Sequence, residues 1–76
     1  MLIKNYSVIV ISKEGTKEEI YFSSFASAKR VYNSIKLYNN EKKCLMQNKS
    51  LMFGEGYANT RYYKILKGGA VVWVNL

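Results

Sequence analysis

The sequence predicts an α+β fold: an antiparallel sheet of five or six strands with one helix packed on one face. Three observations carry this. Short apolar or alternating runs recur between strong turn signals, one segment holds apolar residues at helical spacing, and no proline, linker or repeat interrupts the chain. The order is two strands, a helix and three or four further strands, in a single domain over residues 1–76.

Tyr6 to Ile11 is β-branched and almost continuously apolar, which predicts a strand that is central or covered on both faces. Lys13-Glu14-Gly15-Thr16 is a turn in which Gly15 can take positive φ. Lys17 to Phe22 alternates, with Ile20 and Phe22 on one face and Tyr21 on the other, so the two runs form a hairpin. Ser23-Ser24 offers an N-cap, and nothing breaks a helix before Asn39-Asn40. Over 24–38, Phe25, Ala28, Val31 or Tyr32, and Ile35 form one apolar stripe, with Lys29, Asn33, Lys36 and Asn40 opposite. The expected helix seats Phe25, Ala28, Tyr32 and Ile35 on the sheet and turns a basic, amide-rich side to water. Residues 43–47 and 51–53 read as a second hairpin about Asn48-Lys49. Gly54-Glu55-Gly56 reads as the start of a loop reaching about Thr60. Residues 61–66 read as a strand, Lys67-Gly68-Gly69 as a tight turn, and 70–76 as a final apolar strand containing Trp73.

Seventy-six residues lie near the lower limit for unaided folding, where a core rarely supplies more than about 3–5 kcal/mol of net stability. At 49% hydrophobic and 14% aromatic, the chain is too apolar for a disordered tail. The seven tyrosines suit the boundary of a thin sheet or a contact surface, because the ring buries while the hydroxyl stays wet. A single cysteine, Cys44, permits no intramolecular disulfide, and no export signal is read at the start, so the expected setting is reducing and cytoplasmic. No stretch approaches the ~20 apolar residues of a membrane helix, and no membrane partner is expected.

The formal net charge of +7 is unevenly placed. Within 1–22, Lys4, Lys13 and Lys17 balance Glu14, Glu18 and Glu19; the whole excess lies in 23–76, where only Glu41 and Glu55 oppose the cations. A one-sided positive field attracts polyanions or an acidic protein surface.

Catalysis is poorly provided for. Histidine and aspartate are absent, which removes Ser-His-Asp and Cys-His arrangements, and with one cysteine no zinc or iron–sulfur site can be assembled. Glu18 and Glu19 are neighbours in a strand, point to opposite faces and cannot act as an acid/base pair. Gly54-Glu55-Gly56 lacks the third glycine and the strand–helix context of a dinucleotide fingerprint. Cys44 alternates with Met46 in a strand and reads as a packing residue. The chain is read as a non-enzyme with no cofactor and no metal.

What remains is binding. The candidate surface comprises Lys29, Arg30, Asn33 and Lys36 on the helix, continuing into Lys42 and Lys43, and a strand bearing Arg61, Tyr62 and Lys64, with Lys67 at its turn. Basic residues interleaved with aromatics suit DNA or RNA, since cations meet phosphates while rings stack on bases. In 61–64, Tyr62 and Lys64 share one face and Arg61 and Tyr63 the other. Arginine and tyrosine equally suit a protein–protein contact. The apolar 70–74 segment, if it lies at a sheet edge, invites a homodimer.

The Glu14-Gly15-Thr16 turn, Glu19-Ile20, Ser24, Ala28-Lys29-Arg30 and the closing Trp73-Val74 together resemble the layout of small phage-encoded anti-CRISPR proteins, particularly a basic type I-F inhibitor built from a sheet and one helix. The resemblance covers about a third of the chain, and the stretch between helix and last strand is longer here. It implies a defence inhibitor that binds a host protein or a CRISPR-type nucleoprotein complex, with Lys29 and Arg30 as the residues carried over.

Overall fold

The strand-forming runs are joined by residues that accept left-handed backbone, and this sets the meander. The computed structural model describes residues 3–74. Its elements are β1 (Tyr6–Ile11), β2 (Lys17–Phe22), α1 (Phe25–Ser34), β3 (Lys42–Gln47), β4 (Ser50–Ala58), β5 (Arg61–Ile65) and β6 (Val71–Trp73). The six strands form one antiparallel sheet in the order β2-β1-β3-β4-β5-β6. Asn48 and Lys49 (φ 49° and 65°) and Asn59 and Thr60 (φ 53° and 62°) make tight hairpin turns of the hand that matches strand twist. Gly68 and Gly69, at φ 98° and 92°, turn the chain from β5 into β6.

After β2 the chain crosses the sheet as α1 and returns on the far side of β1, so the most apolar strand has neighbours on both sides. Val8 and Leu45 from the sheet meet Ala28 and Tyr32 from the helix, all 1% exposed or less, with Tyr6, Phe22, Ile35 and Met52 packed around them. Ser24 caps the helix, its hydroxyl oxygen accepting from the Ser27 N–H at 3.2 Å. Among the described residues, no helix is long and apolar enough to cross a membrane.

Three expectations are corrected. The helix stops at Ser34, not 38, and Ile35 is already extended. Lys43 explains the early end: its Nζ donates to the carbonyls of Tyr32 at 2.7 Å and Ile35 at 3.0 Å, which a longer helix would have bonded to its own next turn. The loop expected after Phe53 does not exist, since β4 runs unbroken to Ala58. Gly54 and Gly56 leave space for side chains of β5 instead of turning the chain. A Cβ at Gly54 would stand 2.7 Å from Ile65 Cβ, and one at Gly56 would stand 2.5 Å from Tyr63 Cζ. The last strand is limited to Val71–Trp73 and forms an edge; residues 75 and 76 of the expected strand lie outside the described residues.

The helix packs on β1, β2 and β3 from one side only. The opposite face of the sheet carries no helix, and the candidate site lies there.

Candidate nucleic-acid interface

Strand alternation sends Lys42 and Lys43 to opposite faces, and the pairing register decides what each one meets. On the helix-free face, cross-strand partners run in one row: Lys17 beside Ile11, Ile11 beside Lys42, Lys42 beside Gly56, Gly56 beside Tyr63, and Tyr63 beside Trp73. With strands about 4.8 Å apart, the row is about 24 Å long. Two cations stand at one end and two aromatic rings at the other.

The aromatic end is tightly built. The Tyr63 and Trp73 ring centres are 5.1 Å apart, and the Arg61 guanidinium lies 4.6 Å from the centre of the Trp73 ring. Because Gly56 has no side chain, the phenol end of Tyr63 lies down over the strand. A hollow of about 310 Å³ opens between Tyr63 and Lys42, bordered by Ile11 and Ala58. A larger groove of about 410 Å³ occupies the β1–β2 side of the same face, with Ile9, Tyr21 and Met46 in its walls and Lys4, Lys17 and Lys49 among its basic residues. Glu19 also lines it, and accepts from the Ser7 hydroxyl at 2.8 Å and the Tyr21 hydroxyl at 2.9 Å. These two bonds, with nearby Lys17, hold its carboxyl below the ordinary range, so Glu19 keeps its negative charge on this face. Burial pushes the Cys44 thiol up, as expected of a packing residue.

The covered face uses its charges internally. Tyr32 donates its hydroxyl to Glu55 Oε1 at 2.8 Å, and Tyr62 donates to Glu55 Oε2. Lys43 is the cross-strand neighbour of Glu55, and its ammonium lies 4.4 Å from the centre of the Tyr32 ring. Burial opposes the Glu55 charge, but the two phenol bonds and nearby Lys43 and Lys64 outweigh it and hold the carboxyl low. Burial acts on Lys43 in the other direction and lowers its ammonium.

The predicted binding residues therefore separate into groups. Lys43 is corrected outright: it is 6% exposed and caps the helix. Tyr62 is half-buried against Tyr57, its hydroxyl committed to Glu55, so it is no free platform. Arg30 and Asn33 are exposed on the helix and Lys36 just beyond its end, while Lys29 is half-buried with Nζ 4.2 Å from the Phe53 ring centre. Lys64 shares the covered face with Tyr62, and Lys67 is exposed at the β5–β6 turn. Only Lys42 and Arg61 of the predicted set reach the helix-free face. Lys17, Tyr63 and Trp73 were not in that set. Alternation already placed Tyr63 with Arg61, but no local signal joins Lys17 to Lys42.

No family model, curated protein or solved structure matches this chain.

Proposed function

We propose that the protein binds single-stranded nucleic acid across the helix-free face of its sheet. The row from Lys17 through Lys42 to Tyr63 and Trp73, with Arg61 on the tryptophan ring, is the observation that supports this reading. Cations track a phosphate backbone while rings stack on unpaired bases, and both kinds of group lie along one line here. A helix-free sheet face with one exposed and one half-buried ring suits bases that are already unstacked. A duplex would instead call for an element that enters a groove, and α1 is engaged in packing on the sheet.

Trp73 is the sole tryptophan, so its fluorescence reports directly on this site. Titration with a short single-stranded oligonucleotide should quench it. Three phosphate-contacting cations, Lys17, Lys42 and Arg61, predict a log–log salt slope of about −2. Replacing Trp73 with Ala should weaken binding of a labelled oligonucleotide by about 1–3 kcal/mol. Unchanged emission together with no salt-dependent binding at low ionic strength would eliminate the proposal.

A second reading has its own observation. Arg30 and Asn33, on the helix, and Lys36, just past its end, are exposed on the other side of the molecule. They suit an acidic protein surface, and the partner would be a host protein or a CRISPR-type nucleoprotein complex inhibited by a phage-encoded binder. Both readings place the protein in the cytoplasm, where the lone Cys44 stays reduced. Charge reversal at Arg30 and Lys36 should abolish capture of such a complex and leave oligonucleotide binding intact. Capture unaffected by the reversal would discard this second reading.

A further inference from the structure

The two edges of the sheet are built differently. The β2 edge carries Lys17, Glu18 and Glu19, charges that discourage a further strand from adding. The β6 edge carries Val71, Val72 and Trp73, which are 48%, 46% and 41% exposed and include no charge. Among the described residues, its neighbour within the sheet is β5 alone.

Hydrogen-bond phase shows which backbone groups of β6 are free. The Leu66 N–H donates to the Ala70 carbonyl at 2.7 Å, and the Val74 N–H donates to the Tyr62 carbonyl at 2.9 Å. Antiparallel alternation then turns Val72 toward β5 as well, in its pairing with Lys64. Val71 and Trp73 therefore direct their N–H and C=O groups outward.

We propose that β6 pairs antiparallel with β6 of a second copy about a two-fold axis at Val72. In that register Val71 lies opposite the partner's Trp73, and each such pair exchanges both of its hydrogen bonds. Val72 meets the partner's Val72 in the close, non-bonded pairing. An axis at Val71 would set Trp73 against the Gly69 turn, and one at Trp73 would leave Val71 without an opposing β6 residue. The axis at Val72 alone satisfies both outward-facing residues, and this self-complementarity singles out a second copy as the occupant. A three-residue edge buries less than the ~1,200 Å² of a stable complex, so the dimer is weak and forms with concentration.

Sedimentation of the full chain, free of nucleic acid, tests this. The mass should rise from one chain toward two as concentration approaches about 1 mM. Val72→Lys sets two ammonium groups face to face across the axis and should return the protein to one chain throughout, with its far-ultraviolet circular dichroism unchanged. Under mild oxidation, Val72→Cys should cross-link to its own copy, with the bridge mapped by peptide mass. Val71→Cys should not cross-link to itself, because its symmetry mate is diagonal and lies beyond the ~7 Å reach of a disulfide. A constant single-chain mass, a dimer that survives Val72→Lys, or equal cross-linking at both positions would each overturn the proposal.

Discussion

On the covered side of the sheet, Lys43 and Glu55 are cross-strand partners whose charges stay within the molecule, one on the last carbonyls of the helix and the other on two phenols. On the open side, Lys42 comes one residue earlier in the same strand and lies half-buried between Ile11 and Gly56. The same side chain is committed to internal bonds on one face and, under the proposed function, meets phosphate on the other. In so thin a domain, the helix decides which face is inside. Once that face is enclosed, its polar groups must bond to each other, because a buried donor or acceptor left unmade costs about 1–3 kcal/mol.

The two faces should differ most at Tyr32. Tyr32→Ala removes a fully buried ring and the Glu55 bond together, and should lower unfolding free energy in urea by about 4 kcal/mol. Trp73→Ala on the open face should cost only about 1 kcal/mol, since the residue is 41% exposed and loses mainly its pairing with Tyr63. Equal losses would mean that the two faces share one core.

The adjacent lysines sharpen the contrast. Lys43→Met should cost about 2 kcal/mol by orphaning helix carbonyls, while Lys42→Met stays within about 0.5 kcal/mol. Oligonucleotide binding should reverse that ranking, with Lys42→Met flattening the salt slope by about 0.7. The glycines offer a similar pair. Gly54→Ala drives a methyl against Ile65 Cβ, close to the backbone, and should cost about 2 kcal/mol. Gly56→Ala meets the far end of the Tyr63 ring, which can swing away; stability should fall by less than about 1 kcal/mol while oligonucleotide affinity drops.

A modest effect concerns pH. The Glu55 carboxyl is held below its ordinary range in the fold, so its stabilisation is fully present above the unfolded value of about 4.3 and is lost as pH falls through the lower folded value. Glu55→Gln should therefore cost about 1 kcal/mol at neutral pH, and urea midpoints of mutant and parent should converge in acid. A gap that stays constant down to pH 3, roughly a unit below the unfolded value, would show that the carboxylate charge adds nothing to the phenol network.

Much of the architecture was legible because it is local. Alternation in Lys17–Phe22, the Ser24 cap, and the turns at Gly15, Asn48-Lys49 and Gly68-Gly69 are each written within a few residues, and each forms as expected. The failures share a cause. The helix ends early because of a lysine on a strand that follows it, and Gly54-Glu55-Gly56 is extended because side chains of the next strand need the space. Neither cause lies within the segment it affects.

The same division holds for the candidate site. By itself, the sequence determined that Lys42 and Lys43 part company, that Arg61 and Tyr63 travel together, and that the positive charge follows residue 22, since strand periodicity and composition need no partner. Only the tertiary structure decided which member of each pair faces outward, because that depends on where the helix lands. It also decided that Lys17, Lys42, Tyr63 and Trp73 form one row, because register across six strands arises from pairing between segments distant in the chain.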